Sequence, residues 1–127
     1  MSEAPNPESR LEIMLREEQG GRLVTVALRG RLDIFGYREL AARLEPLLGK
    51  PGLLLLLDLA ELSFIASSGW STFVATRARL KRGGGRIAFA AMNADLTRVY
   101  QAMKMNELVP AFASRDEART YLTAESE

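Results

Sequence analysis

The side chains that could do chemistry are few, and two of them are adjacent: Ser67 and Ser68. A serine nucleophile needs a base to take its proton. The 127-residue chain has no histidine and no cysteine, and the nearest lysine in sequence to the pair, Lys81, stands a helix length away. Histidine-based triads, thiol catalysis, disulfides and histidine-containing metal sites are therefore excluded together. Asp33 and Asp58 are the next candidates, each placed at the end of an expected strand, where α/β folds gather functional groups. As a pair they could hold Mg²⁺ with a substrate phosphate, or act as acid and base if their environments differed. Capping or bonding to nearby backbone is the commoner work of a loop aspartate, and Asp58 is placed to hold the turn after its strand. Gly83-Gly84-Gly85 precedes a strand and has no Lys-Ser/Thr after it, so it reads as a helix stop rather than a phosphate loop.

Bulk composition narrows the classes further. Seventeen basic residues against sixteen acidic ones leave a net charge of +1, which is no footprint for nucleic acid. The one basic-rich stretch, Arg77, Arg79, Lys81, Arg82 and Arg86, reads as a solvated helix end. The longest apolar run, from Gly52 to Leu57, is far short of the ~20 residues that span a bilayer. The first ten residues are polar and lack the apolar core of a signal peptide. A cytoplasmic domain with no membrane insertion is the expectation, with a flexible tail over 1–9 and one folded domain over 10–124.

The elements that must position these residues follow from periodicity. Leu11, Ile13 and Leu15 alternate with exposed types, and Val24, Val26 and Leu28 do the same over 23–29. With Gly20-Gly21 between them, these runs predict a hairpin. A loop over 30–36 carries Asp33 into a helix over 37–48, with Leu40, Leu44, Leu47 and Leu48 as its apolar stripe. Five consecutive leucines, 53–57, imply a strand buried on both faces. A connection over 60–65 leads to a helix that starts at Ser67 or Ser68 and ends at Arg82. A strand over 86–90, a helix over 93–103, a strand over 108–112 and a last helix from Ser114 or Asp116 complete the order. The expected fold is α/β: a mixed, largely parallel-core sheet of about five strands with about four helices.

In this frame the serine pair stands at a helix start. One reading is a cap, in which a serine hydroxyl accepts from an orphan N–H. The other is a phosphoacceptor: a phosphate there adds about −1.5 to −2 charges, meets unpaired N–H groups, and repels an acidic or apolar partner without unfolding the domain.

Three stretches resemble the STAS family, specifically the bacterial anti-sigma factor antagonists. They are Leu28-Arg29-Gly30-Arg31-Leu32-Asp33, then Leu57-Asp58-Leu59-Ala60-Glu61-Leu62-Ser63-Phe64-Ile65, then Ala66-Ser67-Ser68-Gly69-Trp70. The glycine turn before Arg86-Ile87 fits as well, and the likeness runs over about 11–122. The resemblance implies that Ser67 accepts phosphate. The kinase would be an anti-sigma factor with a GHKL-type serine kinase domain. That factor would be bound when Ser67 is unphosphorylated, and a PP2C-type phosphatase would restore binding. ATP would belong to the kinase, so the domain is expected to need no cofactor. Asp33, Ser67, Ser68, Gly69 and Trp70 are the expected partner-binding residues, with Ser68 and Asp58 in capping or structural roles. Ala66 stands where the family carries aspartate, and Trp70 where it carries a smaller aliphatic residue; the indole is either core or an exposed anchor. The competing reading is a STAS scaffold or adaptor that is not phosphorylated, in a signalling, secretion or transport complex. Oligomeric state is left open by the sequence.

Overall fold

The computed structural model describes residues 10–124, so the tail expected over 1–9 lies outside the described residues. The central strand is β3, Leu54–Ile65. β2, Leu23–Leu32, lies parallel on one side of it, and β4, Arg86–Ala90, lies parallel on the other. β1, Glu12–Glu18, pairs antiparallel with β2, and the short β5, Ala111–Phe112, pairs parallel with β4. The sheet order is β1-β2-β3-β4-β5.

Four helices cover this sheet unequally. They are α1 (Gly36–Leu44), α2 (Ser67–Arg82), α3 (Ala94–Ala102) and α4 (Arg115–Thr123). The larger core joins alternate sheet residues, Val24, Val26, Leu28, Leu53, Leu55, Leu57 and Phe89, to Leu40 and Leu44 of α1, Phe73 and Leu80 of α2, and Leu96 and Tyr100 of α3. The other face packs Leu23, Leu54, Leu56, Ala88 and Ala90 beneath Ala118 and Leu122 of α4. The leucine run is thus buried on both faces, as its lack of alternation predicts.

Two strands are longer than their sequence pattern shows. β2 runs through Gly30 to Leu32, and β3 runs through 60–65, both expected as connections. The pattern is hidden by two bulges. Between the pairs Ala27↔Asp58 and Arg29↔Glu61, β3 advances one residue more than β2, and it does so again between Gly30↔Leu62 and Arg31↔Phe64. Each extra residue shifts the in/out phase, so the period-two signal disappears. Side chains secure both places: Asp58 Oδ1 accepts from Ala60 N at 3.1 Å, and Ser63 Oγ donates to the Gly30 carbonyl at 3.0 Å.

Other departures have local causes. α1 ends at Leu44, not Leu48, because Pro46 lacks an N–H and its ring crowds the preceding turn. Leu47 stays buried through tighter turns, with Leu47 N donating to the Leu44 carbonyl at 2.8 Å. Residues 108–110 are not strand: Met105–Glu107 forms a 3-10 turn, and Val109 N donates back to the Met105 carbonyl. The Tyr100 hydroxyl donates to the Val109 carbonyl at 2.6 Å, and burial pushes its pKa up from 10.

Gly30 has φ +99°, and a Cβ there would lie 2.1 Å from the Arg10 carbonyl oxygen. Neither the backbone angle nor that contact tolerates a side chain. Gly30→Ala is expected to lower stability by about 3 kcal/mol, read as a lower urea midpoint with an unchanged m-value.

Candidate functional site

β2 and β3 end side by side. Leu32 pairs with Ile65, and Ala66 N donates to the Leu32 carbonyl at 2.8 Å. The chain leaving β2 carries Asp33; the chain leaving β3 carries Ser67. Parallel pairing therefore brings two loops, distant in sequence, to one edge of the sheet.

The Asp33 loop is held by its own carboxylate. Asp33 Oδ1 accepts from the N–H groups of Phe35 and Gly36, both at 3.0 Å, and the Asp33 carbonyl accepts from Tyr37 N. This closes the first turn of α1 and leaves the intervening Ile34 and Phe35 turned outward, 62% and 82% exposed. Phe64, at the end of β3, is part-exposed, with the Arg31 guanidinium 4.2 Å from its ring centroid. A shallow cleft of about 530 Å³ runs between Ile34, Phe35, Tyr37 and Arg38 on one side and Ser68 on the other.

Ser67 is the first residue of α2 and is exposed. The N-cap is Ala66, whose extended backbone ends the strand but whose methyl group caps nothing. The Ala66 carbonyl accepts from Gly69 N and Trp70 N at 2.9 and 3.1 Å. The N–H groups of Ser67 and Ser68 belong to the orphan set that every helix start presents. Ser68 does not fill the expected capping role. It sits two positions past the N-cap, and its Oγ is buried without a hydrogen-bond partner.

Gly69 and Trp70, expected among the partner-binding residues, are part of the interior. A Cβ on Gly69 would approach Leu32 Cγ and Cδ2 to 2.8 Å and Ile65 Cγ2 to 2.9 Å, so glycine lets α2 seat against the ends of both strands. Trp70 is 2% exposed and meets Phe73 and Phe89 edge-on at centroid distances of 6.1 Å each. The indole is core. It pins the first turn of α2 to β4, so it can position Ser67 but offers no surface to a partner.

Asp58 is not part of this edge. The bulged strand continues seven residues past it, roughly 20 Å along the chain. Its side chain reaches α4 instead, with Asp58 Oδ2 3.5 Å from Arg115 Nε. Asp33 and Asp58 therefore do not form a carboxylate pair. Among the described residues no group of three His, Cys, Asp or Glu side chains converges as a metal site, and no helix is long and apolar enough to cross a membrane.

Pattern reading missed Ile34, Phe35, Phe64 and Arg31. The signal present was two large apolar residues inside a loop, between a strand end and a helix start, outside either apolar stripe.

The model of the family described as "STAS domain" matches residues 13–118. The chain belongs to the STAS domain family. Solved structures share the fold. An anti-sigma factor antagonist from Mycobacterium paratuberculosis superposes with a TM-score of 0.82 at 18% identity, covering 95% of this chain and 98% of that one. The anti-sigma factor antagonist SpoIIAA in its unphosphorylated form gives 0.76 at 19% identity, over 91% and 100% of the two chains. The Bacillus cell fate determinant SpoIIAA in its phosphorylated form gives 0.68 at 20% identity, over 87% and 98%. No curated protein sequence matches the chain.

Within this STAS domain the missing cap is testable. Ala66→Asp supplies an acceptor and a negative charge at the start of α2. It is expected to stabilise the domain by about 1 kcal/mol, seen as a rise of about 3–5 °C in thermal midpoint.

Proposed function

We propose that this STAS domain is an anti-sigma factor antagonist whose binding is switched by phosphorylation of Ser67. The observation that carries the reading is the placement of Ser67: an exposed hydroxyl on the first residue of α2, at the sheet edge where Ile34, Phe35 and Phe64 also lie exposed. Exposed apolar side chains gathered at one edge are the material of a protein contact. A dianion placed beside them imposes a desolvation cost on any apolar partner surface. The fold itself would tolerate the phosphate, because the helix N-terminus favours negative charge. The family resemblance of the segment 66–70 supports the same serine, and the structural relative SpoIIAA exists in phosphorylated and unphosphorylated forms.

In this reading the partner is an anti-sigma factor with a GHKL-type serine kinase domain. It is bound while Ser67 carries no phosphate and released after transfer, and a PP2C-type phosphatase reverses the step. Asp33 shapes the contact by holding the Ile34-Phe35 turn, Ser68 lies in the cleft beside it, and Trp70 and Gly69 act from beneath. The domain contributes a surface and an acceptor hydroxyl; the nucleotide belongs to the kinase.

A second reading is favoured by Ala66. The carboxylate beside the acceptor serine is absent, which suits a STAS adaptor that binds without being phosphorylated.

Two measurements separate them. Ser67→Asp is expected to weaken binding to the cognate anti-sigma factor at least about tenfold, by titration calorimetry, with the thermal midpoint nearly unchanged. Binding equal to wild type would count against the switch. Incubation with the kinase and ATP is expected to add one phosphate to the intact mass, mapping to Ser67. No mass change, with binding retained, would select the adaptor.

A further inference from the structure

The sheet face that carries α4 is covered only in part. α4 lies over β3 and β4, and beyond its flank the side chains of β1 and β2 border a cleft of about 240 Å³. Alternate residues of β1, Met14, Arg16 and Glu18, form one wall, and Thr25 of β2 lies in the floor. Arg115 and Arg119, four residues apart on α4, close the other side. This cleft is on the opposite face from α2 and Ser67, and nothing in the proposed switch uses it.

Its polar groups are unbalanced in one direction. Arg119 Nη2 meets Glu18 Oε2 at 2.9 Å, and Arg115 Nε meets Asp58 Oδ2 at 3.5 Å. Asp116 also approaches Arg119, at 3.4 Å, but is 96% exposed and screened by water. Three guanidiniums thus face two carboxylates at the cleft itself. Two groups in its walls lack partners as well: Arg119 Nε, which can only donate, and the Thr25 hydroxyl, on a residue just 5% exposed. A buried donor left unmade costs about 1–3 kcal/mol, so such groups call for an explanation. The α4 N-terminus is not that explanation, since Ser114 Oγ already caps it by accepting from Glu117 N. What the walls lack is an acceptor, and what their charge lacks is an anion.

We propose that this cleft binds the oxyanion group, phosphate or carboxylate, of a small molecule. Planar guanidinium forks match both groups. Arg16 and Arg115 would flank the anion, the Thr25 hydroxyl would donate to it, and Met14, 54% exposed, would cover the apolar remainder of the ligand. Because its walls come from β1, β2 and α4, occupancy ties α4 to the antiparallel edge of the sheet.

The test is amide chemical-shift mapping of the full chain, titrated separately with inorganic phosphate and acetate against sodium chloride of equal ionic strength. Saturable shifts are expected at Met14, Arg16, Thr25 and Arg119, absent with chloride. The anion that saturates at lower concentration identifies which oxyanion the cleft prefers. Arg16→Gln, at an exposed position, is expected to weaken binding about tenfold without affecting the fold. Thr25→Val keeps the side-chain shape and is expected to weaken binding severalfold without lowering the thermal midpoint, since it removes an unpartnered buried hydroxyl. Absence of saturable shifts at these residues with both anions would overturn the proposal. So would shifts that persist at the same concentrations in both variants, because the anions would then be binding without the groups named.

Discussion

Everything in this domain is referred to β3, whose leucine run is buried on both faces and flanked by parallel strands on both sides. No alternating pattern could satisfy that environment. Leu53, Leu55 and Leu57 face three helices, while Leu54 and Leu56 face α4. A truncation to alanine in such a strand costs about 2–5 kcal/mol, because the packed surroundings relax only partly around the cavity. The central strand thereby sets the register of β2 and β4, and the register decides which loops meet at its far end.

The far half of β3 is where rigidity becomes geometry for binding. Two bulges let the strand bend and twist while staying paired with β2, and Asp58 and Ser63 satisfy backbone groups beside the irregularities. The strand then ends beside Leu32, and the Ala66-to-Leu32 hydrogen bond joins the two exits. Gly69 permits the close seating of α2, and Trp70 locks its first turn into an aromatic cluster with Phe73 and Phe89. Ser67 is thus an exposed hydroxyl on a firmly held backbone. In the proposed reading, a modification there would change the surface without disturbing the packing below, which is the physical requirement of a binding switch.

The two faces of the sheet carry different chemistry. The edge near Ser67 offers apolar side chains, Ile34, Phe35 and Phe64, with Arg31 stacked on the last of them. The α4 side offers guanidiniums around an unpartnered hydroxyl. The first suits a protein surface that excludes water; the second suits a small charged group. β2 is common to the two: its end lies beside the exit of β3 toward Ser67, while Thr25 near its start lies in the floor of the α4-side cleft.

Element order, the hairpin, the doubly buried leucine strand and the start of α2 were legible from residue types, because periodicity reports which faces are apolar. The absence of histidine and cysteine was equally decisive, since no folding can supply an imidazole or a thiol that the chain lacks. The 60–65 segment was not legible as strand, because bulges break the alternation by which a strand is recognised. Nor did spacing distinguish the roles of Trp70, Gly69 and Ser68. A tryptophan at a helix start is core or anchor according to what lies opposite, and here Phe73 and Phe89 lie opposite. Asp33 and Asp58 looked alike in sequence, each placed at the end of an expected strand. Only the strand length and the side of the sheet assigned one to the loop beside Ser67 and the other to α4. Sequence by itself determined which groups exist and which segments must be buried, because both follow from side-chain chemistry. Tertiary structure alone decided which of them share an edge, because adjacency across parallel strands depends on register, and register is a property of the packed sheet.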